Sequence, residues 1–363
     1  MNITPTDNLN FSGKYALSNY KACLKGGAIG DELGWPVEFM RLNSIKRQYG
    51  CKGIQNLVLN NKGKAEITDD TQMTMFTADG LLKNICKTLN LDELPDMNTV
   101  FNSYKLWLNT QYGKMIQKGQ GWIAEIPGLY ENRAPGNTCT SAVRNGIPGS
   151  FRKPINNSCG CGGVMRVAPV GLMYKDNPEL AFEIGARCAA LTHSNPRAYL
   201  PAGVMSGMIA NIISGDDIPT ALDKNMKVLE EYYGNEPVTK LLDDAKKYAK
   251  SDMNPEDSIY NLGEGWVGDE ALAISVYCAL KEPNDFQKAV RMAVNHNGDS
   301  DSTGAILGNI MGAHLGIEKL PADWVEKIEL TKELDILAED LFVNPKEIKN
   351  PEKRYPISKN NTK

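Results

Sequence analysis

The chain has 363 residues, a formal net charge of −4, 42% hydrophobic side chains and 23% charged ones. That balance supports a large buried core and excludes a disordered chain, and the lack of any lysine- or arginine-rich block argues against nucleic acid or a membrane as the main partner. Any anion site must therefore be local.

The first 25 residues lack a charged start followed by an apolar run, so no secretory signal is read there. The longest apolar stretches, such as 201–215, are too short to cross a bilayer. Eight scattered cysteines, with only Cys159 and Cys161 close together, read as reduced thiols. A cytoplasmic protein is the expectation.

In chain order, the first acidic segment is "GGAIGDELGWPVEF" (26–39). Asp31 could close a turn and Glu32 could be solvated. Glu38 stands between apolar Val37 and Phe39 after Pro36, a setting that calls for a partner for its carboxylate. Next, "EITDDTQMTMF" (66–76) places Thr68, Asp69, Asp70 and Thr71 before an apolar helical run. Alone, that is an N-cap with acids at the positive helix end. "RAPGNT" (133–138) reads as a turn, and "NSCGCGGVMRVAP" (157–169) as a glycine-rich loop that leads into a helix near Val164. Gly160, Gly162 and Gly163 would let backbone approach a phosphate, and Ser158 adds a hydroxyl.

Apolar residues three and four apart predict helices over 71–85, 178–192, 199–214, 269–280 and 285–294. No segment alternates with period two, so the fold class is all-α. The charged pattern of 217–255 predicts an outer, solvated helix pair. Four-residue glycine spacing recurs at Gly26, Gly30 and Gly34, at Gly203 and Gly207, and from Gly304 to Gly316. Each interior glycine costs roughly 1 kcal/mol of helix propensity, so close backbone approach at the centre of a bundle is expected. Residues 1–345 are expected to form one domain, with 346–363 as a polar tail.

The segment "GDSDSTGAILGNIMGAHLG" (298–316) repeats the acid-and-hydroxyl helix start with Asp299, Asp301, Ser302 and Thr303. If the two starts meet, four aspartates share a small volume, and divalent cations remove the repulsion. Oxygen-only donors point to Mg²⁺ or Mn²⁺ rather than Zn²⁺, Mg²⁺ taking six oxygens at roughly 2.1 Å.

Together "GAIGDELGWPVEF", "EITDDTQM", "GGVMRVAPVGL", "LTHSNP" (191–196) and this last segment resemble the ADP-ribosylglycohydrolase family, in family order over nearly the whole chain. The resemblance implies a single compact all-α domain with a two-metal centre holding two Mg²⁺ or Mn²⁺. It implies Thr68, Asp69, Asp70, Asp299, Asp301 and Ser302 as ligands, and Glu38 and Asp301 as catalytic residues. Thr303 is the alternative hydroxyl, or a helix cap. It implies Gly136 and Asn137 near the distal ribose, Ser158, Gly160, Gly162 and Gly163 at the diphosphate, and His193 in the pocket. The chain departs from relatives that carry Asn at Cys161 and an aromatic residue at Cys159, so Trp266 in "GEGWVGDE" becomes the candidate adenine platform. Arg166 is read as an ion-pair partner for a helix or a carboxylate.

The expected activity is hydrolysis of ADP-ribosylarginine on protein. Alternatives are the ADP-ribosylserine or O-acetyl-ADP-ribose bond, a non-catalytic ADP-ribose binder, or an immunity protein that occupies an ADP-ribosylating toxin. Cys159 or Cys161 as a thiol nucleophile with His193 or His296, or as part of a zinc site, is the remaining reading.

Overall fold

A computed structural model describes residues 16–113 and 115–356. Residues 1–15, part of the segment read for a signal, and 357–363 of the expected tail lie outside the described residues. The described chain is helical, with isolated β-bridges and no longer strand. No described helix is long and apolar enough to cross a membrane.

The helices run α1 (Leu17–Gly34), α2 (Leu42–Tyr49), α3 (Asp69–Thr88), α4 (Met97–Gln111), α5 (Asn137–Asn145) and a short α6 (Ala168–Met173). Then come α7 (Pro178–Ala190), α8 (Pro196–Ile213), α9 (Ile218–Leu229), α10 (Glu236–Ala249), α11 (Pro255–Leu262), α12 (Gly268–Lys281), α13 (Phe286–Val294) and α14 (Ser300–Leu315). Finally α15 (Ala322–Val325), α16 (Thr331–Phe342) and α17 (Pro351–Arg354) close the chain. Local chemistry sets many of these starts. Asn177, Asn195, Asp217 and Asn254 accept first-turn N–H groups at α7, α8, α9 and α11, each followed by proline in the first turn, where a missing N–H costs nothing.

At the centre, α1 and α14 are buried on every side, Ala22–Gly34 on one and Ser300–Ala313 on the other. Neither needs an amphipathic stripe, since both faces meet protein. The glycine spacing explains how they approach. A Cβ at Gly30 would collide with the Gly304 carbonyl and one at Gly304 with the Gly30 carbonyl; Gly26 and Gly308 are related in the same way. Gly34 faces Ser300, so the helices are antiparallel and the end of α1 lies beside the start of α14. That crossing decides where Glu38 goes.

The outer pair expected over 217–255 is α9 and α10, the latter burying only Val238, Leu242 and Ala245. Of the segment expected as a tail, 346–356 lies on the body: Ile348 and Tyr355 are buried, and Asp340 receives the Arg354 guanidinium and, at 2.6 Å, the Tyr355 hydroxyl.

Candidate active site

Two helix starts and one helix end define the site. Thr68 is the N-cap of α3, accepting from Asp70 N at 3.2 Å, and Asp69 and Asp70 form the first turn. Asp299 caps α14, accepting from Ser302 N at 3.2 Å, while Asp301 Oδ1 accepts from the same N–H at 2.9 Å. Both clusters are therefore real caps, and their carboxylates also converge. One carboxylate oxygen each from Glu38, Asp299 and Asp301 lie within 4.8 Å of one another, all three residues buried.

The electrostatics report the crowding. Burial first, then the charge of Asp299, pushes Glu38 up to about 9. Burial, then Asp31 and Asp69, raises Asp70 well above the carboxylate range; burial, then Asp70 and Asp299, does the same for Asp301. Asp69 rises to about 8, burial again leading and the Gly136 N–H opposing it. So Asp70 and Asp301, 231 positions apart in the chain, feel each other's charge.

The donor set fits a cation on independent grounds. Glu38 Oε2 and Asp70 Oδ2 are buried without a hydrogen-bond partner. No ion pair reaches any of the five carboxylates among the described residues. Buried carboxylates are otherwise paired or neutralised.

The neighbours complete the picture. Gly136, exposed, donates its N–H to Asp69 Oδ2 at 3.3 Å, and Asn137 opens α5 in an exposed position. Ser158 Oγ pairs with Thr138 Oγ1 at 3.0 Å and accepts from Gly160 N at 3.3 Å. Around Gly162, a Cβ would press on Cys139 Sγ at 2.8 Å and on His193 at 3.1 Å. Gly163 is needed for packing, since a Cβ there would meet Ala189 Cβ at 2.8 Å.

Several expectations are corrected. No helix begins at Val164: Cys161–Gly163 form a 3₁₀ turn, Val164 N donates to Cys161 O at 2.7 Å, and α6 starts only at Ala168 ahead of Pro169. Of the two partners read for Arg166, it takes the helix, the last turn of α7, and no carboxylate pairs with it among the described residues. It is fully buried, its guanidinium 4.4 Å from the Tyr104 ring centre and bonded to Cys188 O and Thr192 Oγ1. Glu32 is buried rather than solvated and accepts from Glu329 N at 2.9 Å. Thr303 Oγ1 turns back to Ala293 O and Asp299 O, both at 2.8 Å, and to His296. Trp266 stacks on Phe39, ring centres 5.7 Å apart, which sets it beside the Glu38 side of the site, while its carbonyl accepts from Cys161 N at 3.1 Å.

Two residues named in the sequence take roles it did not show. Asp31 lies inside α1 yet accepts from Thr68 N, Thr71 N and Thr71 Oγ1, so it clamps the start of α3 to α1. An acid in a helix with no polar face was the available signal. Cys161 donates its thiol to Asp299 Oδ2 at 2.8 Å. Burial and the Asp299 charge hold that thiol protonated, the opposite of an activated nucleophile.

In this all-α domain the core helices bring buried carboxylates together beside a glycine-rich turn. The model of the ADP-ribosylglycohydrolase family matches residues 14–350, and the chain belongs to that family, hydrolases that remove ADP-ribose from modified substrates. It is 24% identical to the ADP-ribosyl-[dinitrogen reductase] glycohydrolase of Rhodospirillum rubrum, over 86% of this chain and 90% of that one. It is likewise 24% identical to the ADP-ribosylhydrolase ARH3 of Bos taurus (90% and 93%), and 23% to the ADP-ribosylarginine hydrolase Tri1 of Pseudomonas putida (90% and 78%). A solved ADP-ribosylglycohydrolase-related protein complex shares the fold, with TM-score 0.60 and 21% identity over 90% of this chain and 97% of that one.

Proposed function

We propose that this chain hydrolyses the N-glycosidic bond between ADP-ribose and an arginine guanidinium on protein, with two Mg²⁺ or Mn²⁺ ions held by Thr68, Asp69, Asp70, Asp299, Asp301 and Ser302. The observation that carries the reading is the convergence of Glu38, Asp299 and Asp301 with unpartnered carboxylate oxygens around them. The arginine linkage is supported by the similarity to the arginine hydrolase of Pseudomonas putida. Eight free thiols support a cytoplasmic setting.

When bound, the ions neutralise the acidic cluster and act as Lewis acids that make water and ribose hydroxyls more acidic. Glu38 does the proton work in this mechanism. Its Oε2 has no protein partner, and it accepts a proton from the attacking water as the bond from the anomeric carbon to nitrogen breaks and the bond to water oxygen forms. That proton ends on the departing guanidine nitrogen. Because the bond breaks with oxocarbenium character, the carboxylates of Asp299 and Asp301 stabilise the positive charge that builds on the sugar. Gly136 and Asn137 flank the distal ribose. Ser158, Gly160, Gly162 and His193 take the diphosphate, and Gly163 keeps the turn close to α7.

The test supplies arginine-, serine- and acetyl-linked ADP-ribose to substoichiometric protein, with Mg²⁺ or with chelator. Multiple turnovers on the arginine conjugate with Mg²⁺ alone are expected. Cleavage of only another linkage would move the machinery to that bond. Inhibition of an ADP-ribosylating enzyme at one-to-one, without turnover, would replace hydrolysis by binding.

A further inference from the structure

We infer that Thr192, held by Arg166, is a positioning residue that fixes the His193 imidazole with its proton on Nε2, presented to the glycine-rich turn as a neutral donor for an anionic diphosphate.

The reasoning follows hydrogens through a buried chain of three side chains. Arg166 and Thr192 are fully buried, and His193 is 2% exposed. Arg166 Nη2 lies 2.6 Å from Thr192 Oγ1, and a guanidinium can only donate, so the hydroxyl oxygen accepts there. The hydroxyl hydrogen then has two outlets: His193 Nδ1 at 2.8 Å and Ala189 O at 3.4 Å. Ala189 O already receives the N–H groups of His193 at 2.9 Å and Thr192 at 3.1 Å. The shorter, uncrowded bond to Nδ1 wins. A nitrogen that accepts carries no proton, so the ring proton sits on Nε2.

Two further observations agree. With no carboxylate paired to Arg166 among the described residues, its charge opposes a proton on the near side of the ring. Burial, followed by that charge, lowers His193 to about 3, so the ring is neutral across the working range. The far side of the ring faces the turn: a Cβ built on Gly160 would meet Nε2 first, at 3.4 Å, and one on Gly162 would meet Cε1 at 3.1 Å and Nε2 at 3.3 Å. In the other tautomer Nε2 would turn a lone pair toward phosphate oxygens and repel them. Thr192 therefore sets the sign of the interaction without touching the ligand.

The inference rests on the proposed diphosphate site, and the experiment separates the two. In ¹⁵N spectra of the full chain without ligand, His193 should show protonated Nε2 and bare Nδ1. Thr192→Val should give a mixed or reversed tautomer, bind ADP-ribose about ten-fold more weakly by calorimetry, and raise KM rather than lower kcat. Thr192→Ser should restore all three. A Thr192→Val protein that keeps the Nε2–H tautomer and wild-type ADP-ribose affinity overturns the inference. A wild-type chain that does not bind ADP-ribose sinks the diphosphate site alone, because the tautomer is read without ligand.

Discussion

Glu38 and Asp301 share one acidic cluster but fail differently when changed. Glutamine at Glu38 keeps the shape and removes the proton acceptor. Glu38→Gln should lower kcat on the ADP-ribosylated conjugate by about 10²- to 10⁴-fold while leaving ADP-ribose affinity within a few-fold. Calorimetry beside turnover assays checks the split. Asp301 sits where α14, Glu38 and Asp70 meet. Asp301→Ala should abolish both ADP-ribose release and the heat stabilisation conferred by Mg²⁺, and full activity in that variant would remove the proposed centre. Alkylation of accessible thiols should cost little activity, because Cys161 is a buried donor to Asp299 and not a nucleophile.

The element that positions the centre is the antiparallel pair α1 and α14. Glycine at 30 and 304 lets backbone meet backbone, so each helix end is delivered to the same place. Alanine at Gly304 gains about 1 kcal/mol of helix propensity. It also forces a methyl against the Gly30 carbonyl, which no rotamer change can relieve, and overpacking of this kind costs about 1–3 kcal/mol. The clash wins. Gly304→Ala should lower unfolding stability by up to about 2 kcal/mol in urea titrations. It should also weaken Mg²⁺ binding, as α14 shifts away from Glu38. Asp31 acts at the same scale, tying the start of α3 to α1 through Thr68 and Thr71.

For the whole molecule, the buried acids make stability depend on pH in a way that a cation reverses. In chelator, folded Glu38 and Asp69 keep protons up to about 9 and about 8, whereas unfolded carboxylates lose theirs near 4. The folded state then holds more protons, so stability falls as pH rises through this window. His193 and His296, lowered to about 3 and about 4, work oppositely: the unfolded state holds more protons below 6.5, and stability is lost as pH falls from there. Above 6.5 the histidines drop out and the acids act, joined from about 8.5 by buried thiols such as Cys161 whose raised values give a slope of the same sign. Thermal melts in chelator should show Tm falling steadily from pH 6.5 to about 9, and Mg²⁺ should flatten the slope by holding the acids ionised. A flat profile in chelator would mean the acids are not protonated in the folded chain.

Periodicity and punctuation in the sequence determined the helical class, most helix bodies and the outer pair α9 and α10, because apolar spacing and Asx or proline starts act within a few residues. The repeated acid-and-hydroxyl helix starts and the apolar neighbours of Glu38 likewise made the acidic centre legible in the sequence. Partners reached across the chain were not legible. Asp31 clamping α3, Cys161 on Asp299, Arg166 on Thr192 and Trp266 on Phe39 join residues tens to more than a hundred positions apart, and nothing in their local neighbourhoods records the match. The three-dimensional arrangement alone decided them, since the α1 and α14 crossing fixes which ends meet and the buried polar atoms then take whatever donors and acceptors that geometry supplies.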